Sequence, residues 1–209
     1  MKANVYIDGF NLYYGALKGT PCKWLDLEAL CRRLVSNYEI ARIRYFTAKI
    51  KPRPDNPKSP ARQDIYLRAL ATNPKISIHL GYFKESRVRM ALATPRPGLP
   101  RIVEVLRTEE KGTDVNIATY LMLDVFRHDC DLSVVISNDA DLAEPMRIVV
   151  AEFDHPVALI NPFQTQSCRE LRTVPTLFYK QIKKRALRQC QLPAKLRDES
   201  GEIPRPREW

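Results

Sequence analysis

Short apolar segments with strand character alternate along this chain with amphipathic segments of helical period. The strand patterns are ANVYI, IARIRYFTAKI, KISIHLGYF, DLSVVIS and PVALINP. The helical patterns are LDLEALCRRLV, ARQDIYLRALAT, GTDVNIATYLMLDVF and DLAEPMRIVVAEF. Strands separated by helices form right-handed crossovers, which place the strands in a mostly parallel sheet with helices on both faces. The alternation therefore predicts an α/β fold.

Two regions depart from this alternation. Between residues 84 and 108, VRMALAT and RIVEVLRT read as two strands joined by a turn at PRPGLP, which predicts a β-hairpin insertion. A final helix is predicted near Leu177 to Arg188, before a Pro-rich polar end. We therefore expect one domain over residues 1–189 and a C-terminal tail over residues 190–209.

Three polar residues are candidate helix caps. Asp26 precedes LDLEALCRRLV, and Thr113 precedes the helix that has Asp114 in its first turn. Asn11 is predicted to cap a short helix from about Leu12 to Ala16.

Composition narrows the class of protein. The chain has 209 residues, enough for one sizeable core. No apolar run approaches the ~18 residues of a membrane span, and the N-terminal residues have no signal-peptide pattern. Five cysteines, an odd number with no CxxC pair, indicate free thiols, and three histidines outside any cluster disfavour structural zinc. We expect a cytoplasmic protein without a membrane partner.

The chain carries 34 Lys and Arg against 24 Asp and Glu, a net charge of +10. The segment from Lys180 to the end holds nine basic and four acidic residues, and residues 49–68 hold six and two. Such a surface suits an enzyme that handles a polyanion such as RNA. A solvated face of an ordinary basic protein has the same composition, so charge alone leaves both interpretations open.

Four aspartates lie where apolar strands end or helices begin: Asp8, Asp114, Asp139 and Asp141. Asp8, Asp114 and Asp141 each have a structural explanation, because Asp-Gly is common in turns and carboxylates stabilise helix N-termini, whereas Asp139 has none as ready. In a parallel sheet, however, these ends meet at one edge, and carboxylates gathered there repel one another unless a cation or proton neutralises them. Together they predict a divalent metal site.

Other acids do not fit this site. Asp124 is turned away from Asp114 along the helix, and Asp129 and Asp131 lie at the opposite end of a strand. Glu109 and Glu110 adjoin the site in sequence, but their backbone state does not follow from the pattern, so we leave them out.

Three motifs, VYIDGFNLYY, EKGTDVNIA and VVISNDADL, resemble those of the NYN domain, the LabA-like branch of the PIN-like nuclease superfamily. The resemblance covers about residues 3–180. It implies a Rossmann-like three-layer α/β/α sandwich whose acidic pocket binds Mg²⁺ or Mn²⁺ and cleaves RNA, single-stranded in our expectation. The motif positions correspond to Asp8, Asn11, Asp114, Asp139 and Asp141.

The chain departs from the family pattern twice. Asn138 stands where family sequences often have Gly, and Thr119, Tyr120 and Leu121 stand where many carry a further acid. The missing acid at positions 119–121 argues against a second bound metal ion more than it argues against the first ion.

The resemblance suggests roles for individual residues. Asp8, Asp114 and Asp139 are the expected metal ligands, for an ion that activates water for attack on a phosphodiester. Asp141 is expected to be catalytic as well, orienting the water. The expected substrate contacts are Asn11, Ser137 and Lys111. The aromatic residues Phe10, Tyr13 and Tyr14 either stack on bases or pack in the core.

Alternatives remain at this point. The same fold without turnover would be an RNA-binding or partner-binding module. A phosphatase of the haloacid dehalogenase type needs a second Asp two residues after the first, where this chain has Phe10. If KQIKKRALRQC is helical, Lys180, Lys183 and Lys184 share a face that fits phosphates or is merely solvated. A homo-oligomer is also open.

Overall fold

A computed structural model describes residues 1–52, 54–94, 98 and 100–209. Seven strands form one sheet in the order β4-β3-β2-β1-β5-β6-β7, parallel except for the antiparallel pair β3–β4, and two more form a separate hairpin. The strands are β1 Lys2–Asp8, β2 Glu39–Ala48, β3 Ile76–Ala91, β4 Ile102–Lys111, β5 Leu132–Ile136, β6 Val157–Asn161, β7 Phe178–Gln181, β8 Lys195–Asp198 and β9 Gly201–Pro204.

Helices cover both faces of the sheet. They are α1 Gly9–Leu12, α2 Leu27–Leu34, α3 Ser59–Ala71, α4 Thr113–Phe126, α5 Ala143–Phe153, α6 Arg169–Arg172 and α7 Lys184–Gln189, with a π-helical turn at Tyr13–Leu17 and a 3₁₀ turn at Ala140–Leu142. One core lies between the sheet and α2, α3 and α7, and the other between the sheet and α4 and α5. The predicted α/β/α sandwich is confirmed. Within the described residues, no helix has the length and apolar character needed to cross a membrane.

The direction in which the chain winds reverses at β1. From β1 the chain moves through β2 to β3 on one side, and then through β5 and β6 to β7 on the other. In open α/β sheets the ligand crevice lies outside the carboxyl ends of the strands at such a reversal. The crevice is therefore expected between the ends of β1 and β5.

The predicted hairpin is longer than the sequence indicated. Residues Ile76–Gly81 of β3 pair with β2, and Tyr82–Ala91 continue as the same strand, paired with β4. KISIHLGYF and VRMALAT are therefore one strand rather than two, since no Gly or Pro interrupts KESR between them. The predicted turn at 95–100 falls on residues mostly outside those described.

The hairpin brings the chain back to the carboxyl edge of the sheet. Lys111, at the end of β4, pairs with Tyr82, one residue beyond the last β3 residue that pairs with β2. Gly112 then turns the chain with φ +96°, a conformation that favours glycine, and α4 begins. This return places the first turn of α4 beside the ends of the parallel strands.

Three predictions about chain segments were wrong. Thr113 does not cap α4, because Gly112 is the cap and Thr113 is the first residue of the helix. Asn11 does not cap a helix, because Asp8 is the cap and accepts a hydrogen bond from the Asn11 amide. The helix expected over Leu177 to Arg188 is a strand, β7, followed by the short helix α7. Lys180 lies in β7, so it shares no helix face with Lys183 and Lys184.

Residues 190–209, expected to be a polar tail, pack on the α2–α3 side of this same chain. The Trp24 indole donates to the Pro193 carbonyl at 2.7 Å, and the Trp209 ring lies 6.4 Å from Trp24 and 5.7 Å from Tyr66. Ile203 of β9 is 1% exposed within the core. The segment is polar in composition, but its few apolar side chains complete a core.

A buried ion pair joins α4 to the middle of the sheet. Asp124, fully buried, accepts from Arg44 at 2.7 and 2.6 Å and from the Tyr6 hydroxyl at 2.9 Å. The Arg44 guanidinium also lies over the Tyr120 ring, 4.5 Å from its centroid. A paired charge in a core is tolerated only while both partners remain, so this contact fixes the position of α4.

We predict that Asp124→Asn destabilises the protein by about 3 kcal/mol, because it leaves the buried Arg44 charge without a counter-ion. Urea unfolding followed by circular dichroism measures the change. Arg32→Ala, which breaks the exposed Arg32–Glu28 pair, is the control and should cost about 0.5 kcal/mol. Equal effects of the two substitutions would contradict a special role for the buried pair.

Ile203→Ala should cost about 2–4 kcal/mol, because it opens a cavity where β9 meets the core. The exposed Arg197 of the same hairpin gives a matched control, and Arg197→Ala should change stability by less than about 0.5 kcal/mol. An unchanged unfolding midpoint in Ile203→Ala would show that residues 190–209 are dispensable for the fold, as a separate tail would be.

Candidate metal centre

Three of the four predicted aspartates converge. Asp8, Asp114 and Asp139 each offer a carboxylate oxygen, and these oxygens all lie within 4.8 Å of one another. Asp8 ends β1, Asp139 follows β5, and Asp114 lies in the first turn of α4. The cluster therefore occupies the crevice expected from the strand order.

Hydrogen bonds hold the Asp8 carboxylate in place. It accepts from the Asn11 amide at 2.9 Å, from the Asn11 side chain at 2.6 Å and from the Ser137 hydroxyl at 3.0 Å. These bonds favour the charged carboxylate, but burial of a residue that is 3% exposed outweighs them and raises the pKa of Asp8. The hydrogen bonds therefore fix the orientation of the Asp8 carboxylate, but they do not fully offset the cost of burying its negative charge.

Asn11 and Ser137 also position the loop after β5. The Asn138 amide donates to the Asn11 side-chain oxygen at 3.1 Å, and the Asp139 amide donates to the Ser137 hydroxyl at 3.1 Å. The two side chains thereby link Asp8 to the backbone that carries Asp139. Ser137 is fully buried and uses its hydroxyl within this network.

Asn138, where family sequences often have Gly, has a role that its sequence position did not reveal. Its side-chain oxygen accepts from the Cys168 amide at 2.8 Å, which ties the loop after β5 to the segment that begins α6. The sequence signal for this role was the position of Asn138 between two polar residues, Ser137 and Asp139, at the end of a strand.

Asp139 and Asp141 differ in their surroundings. The Asp139 side chain caps the 3₁₀ turn by accepting from the Asp141 amide at 3.1 Å, while its carboxylate also belongs to the cluster. Asp141 is exposed and lies outside the group of converging oxygens, but its charge helps to raise the pKa of Asp114. Asp141 therefore stands at the mouth of the crevice.

The pKa of Asp114 is raised to about 7. Burial is the largest cause, followed by the negative charges of Asp139, Asp8, Glu110 and Asp141. Without a cation, these carboxylates cannot all be ionised at neutral pH without strong repulsion. The electrostatics of the crevice therefore favour a bound cation or a bound proton.

Glu110, which the sequence analysis left out, organises the first turn of α4. It accepts from the Thr113 hydroxyl at 2.5 Å and from the Thr113 amide at 3.3 Å. An acid three residues before Thr113 could have indicated this contact. Recognising it required knowing that β4 ends only two residues before α4 begins.

The remaining predicted residues lie around the crevice. Lys111 is exposed, and its ammonium group is 3.6 Å from Glu109. Phe10 packs edge-on against Phe83 at a centroid distance of 5.7 Å. Tyr13 packs against the core, and Tyr14 is 48% exposed, so Tyr14 is the better placed of the two for a ligand.

The donor set suits Mg²⁺ or Mn²⁺. Carboxylate oxygens are the ligands these ions prefer, and octahedral Mg²⁺ with bonds of about 2.1 Å spans about 4.2 Å between opposite ligands. Oxygens within 4.8 Å need only small shifts to reach one ion. Among the described residues this is the single such group, and Tyr120 packs on His79 where the family often has another acid.

Comparison with known proteins agrees with this geometry. A model of the NYN domain family matches residues 2–172, which confirms the resemblance seen in the motifs. The 6-hydroxy-3-succinoylpyridine 3-monooxygenase HspA of Pseudomonas putida (strain DSM 28022 / S16) is 29% identical over 238 residues, an alignment that covers 100% of this chain and 75% of that protein.

A solved structure shares the fold. It is a protein of unknown function, VPA0982, from Vibrio parahaemolyticus RIMD 2210633, with a TM-score of 0.56 and 13% sequence identity. The match covers 91% of this chain and 96% of that chain.

The raised pKa of Asp114 predicts a pH dependence of stability in chelator. The folded state holds this proton more tightly than the unfolded chain does, so the stabilisation present at about pH 4 is lost as the pH rises towards about 7. Asp114→Asn removes this titration. The variant should therefore gain thermal stability relative to wild type across that interval, as scanning calorimetry at each pH would show.

Asp154→Asn is the control for this experiment. Asp154 is exposed, precedes β6 at the opposite edge of the sheet and has φ +48°, which Asn tolerates well. This substitution makes the same chemical change outside the crevice, so the pH dependence that belongs to the crevice is the difference between the two variants. Equal pH profiles for Asp114→Asn and Asp154→Asn would mean that the crevice does not perturb the Asp114 carboxyl group.

Proposed function

Because the chain belongs to the NYN domain family, we propose that it is a metal-dependent ribonuclease that hydrolyses phosphodiester bonds of single-stranded RNA. The NYN domain is part of the PIN-like nuclease superfamily. The observation that carries the proposal is the convergence of Asp8, Asp114 and Asp139 at the crevice between β1 and β5.

Asp8, Asp114 and Asp139 would hold the Mg²⁺ or Mn²⁺ ion. The bound ion supplies Lewis-acid chemistry, activating water at neutral pH and stabilising negative charge on the leaving oxygen. The pKa values of Asp8 and Asp114 are raised, first by burial and then by neighbouring negative charge, and this supports the assignment because buried carboxylates gain most from a shared cation.

Residues around the metal centre would orient its ligands, the attacking water and the substrate. Asn11 and Ser137, assigned to substrate by sequence, are better placed to orient Asp8 and Asp139, since their polar groups are engaged with these residues. Asp141, exposed at the mouth, is placed to orient a water and accept its proton. Lys111 is placed to contact a flanking phosphate, with its ammonium group exposed beside Glu109.

We expect Asp8→Asn and Asp139→Asn each to lower RNA cleavage at least about 100-fold, because each removes a ligand charge. Ser137→Ala should lower it by about 10–100-fold, as expected for a residue that orients ligands. Cleavage of labelled single-stranded RNA in Mn²⁺ or Mg²⁺ is the measurement, and chelator should abolish it.

Asp154→Asn makes the same chemical change at the opposite edge of the sheet and should cleave like wild type. Circular dichroism of each variant separates loss of activity from loss of fold. Cleavage that survives both Asp8→Asn and Asp139→Asn would refute the metal centre. RNA binding with no cleavage by wild type in any metal would instead favour a binding module with this fold.

A second candidate function is hydroxylation of a pyridine ring, by analogy with the relative from Pseudomonas putida. The observation that favours it is coverage: that alignment includes residues 173–209, which the NYN family model does not reach. A monooxygenase transfers one oxygen atom of O₂ to its substrate and reduces the other to water with two electrons from a reductant and two protons. Conversion of 6-hydroxy-3-succinoylpyridine in air with a supplied two-electron reductant, lost under nitrogen, would support this candidate over the ribonuclease.

A further inference from the structure

A depression of about 660 Å³ on the β7 side of the molecule is lined by cations. Arg33 comes from α2, Lys180 from β7, Lys183 from the residue before α7, and Arg185 from α7. No carboxylate lines this depression among the described residues. We call these four residues the basic depression.

None of the four cations has an acidic partner among the residues that the structure describes, and Lys180 donates to a backbone carbonyl instead. Arg33, Lys183 and Arg185 are exposed, and none of them lies within 4.0 Å of a carboxylate in the described parts of the chain. Like charges gathered on one surface repel one another and raise the local concentration of anions. The uncompensated charge indicates an anionic ligand.

Lys180 is a fixed part of this surface. Its ammonium group donates to the Leu34 carbonyl at the end of α2, at 2.6 Å, and lies 4.7 Å from the centroid of the Phe178 ring. The lysine therefore stabilises the helix terminus and keeps one charge in place, while the other three can move to meet a ligand.

Strand register relates the basic depression to the metal centre. Ile7 pairs with Ile136, Ile136 with Ile160, and Ile160 with Lys180, so these residues form one row across the sheet. Three strand spacings of about 4.8 Å put Lys180 about 14 Å from Ile7, the neighbour of Asp8. A single strand a few nucleotides long covers this distance, within the ~4–16 nucleotides of single-strand sites.

We propose that the basic depression binds the phosphates of single-stranded RNA on one side of the cleavage point. This inference rests on the proposed ribonuclease function and adds where the substrate lies: the strand leaves the crevice at Asp139 and passes the carboxyl ends of β5 and β6 towards β7. Cations hold the backbone there, whereas carboxylates act on the scissile bond.

The test compares two triple variants that remove equal charge. Arg33→Gln, Lys183→Gln and Arg185→Gln remove three of the four exposed cations of the basic depression, while Lys180 is kept because it caps α2. The control carries Lys58→Gln, Arg127→Gln and Arg197→Gln, three exposed cations outside the basic depression. Both variants lower the net charge by three, so any general electrostatic effect is shared.

Affinity for fluorescein-labelled oligouridine of 20 nucleotides is measured in EDTA, so that no cleavage occurs. The depression variant should bind at least about tenfold more weakly than the control variant, and its slope of log K against log salt should fall by about 2, from three lost contacts at about 0.7 each.

Equal affinities and salt slopes for the two triple variants would overturn the proposal, whether or not the wild type cleaves RNA. Competition by poly-glutamate as strong as that by unlabelled oligouridine would also overturn it, in favour of an acidic protein partner. If the expected affinity difference appears but wild type never cleaves RNA in Mn²⁺ or Mg²⁺, the basic depression stands as an RNA site and the ribonuclease function fails.

Discussion

The burial of Asp8 and Asp114 beside one another and beside Asp139 is the constraint around which the carboxyl edge of the sheet is built. Three carboxylates within 4.8 Å of one another cost free energy that the chain has to offset elsewhere. Asn11 and Ser137 offset part of it by donating to Asp8, yet the pKa of Asp8 and that of Asp114 remain raised. An arrangement that is unfavourable for the empty protein and favourable for a bound cation is typical of a functional site.

Bringing Asp114 into this crevice depends on contacts remote from it. The β3–β4 hairpin returns the chain to the correct edge, and Gly112 provides the turn that starts α4. About ten residues further along, the buried pair of Asp124 with Arg44 holds α4 against the sheet. A helix anchored by a core ion pair is rigid enough to keep a carboxylate close to two others that repel it.

The sequence predicted those features whose cause is local. Strand tips carrying Asp8 and Asp139 follow from apolar runs that end in polar residues, and the parallel sheet follows from the alternation of patterns. It did not predict contacts between distant residues. The Trp24 indole contacts the Pro193 carbonyl, 169 positions further along the chain. The sequence around Lys180 has a helical pattern, but the segment forms a strand because it pairs with the open edge of β6. Local propensity is weak where an open sheet edge decides the outcome.

The sequence similarity to a monooxygenase is evidence for a shared fold more than for a shared reaction. The region that this likeness adds beyond the NYN match, residues 173–209, contains β7, α7 and the β8–β9 hairpin. Its buried residues, Ile203 and Leu187 among them, complete the core on the α2–α3 side rather than lining the crevice at Asp8. Shared sequence there is explained by packing, and a shared fold does not fix the chemistry. The chemistry has to be argued from the carboxylates, whose hard oxygen ligands suit Mg²⁺ or Mn²⁺.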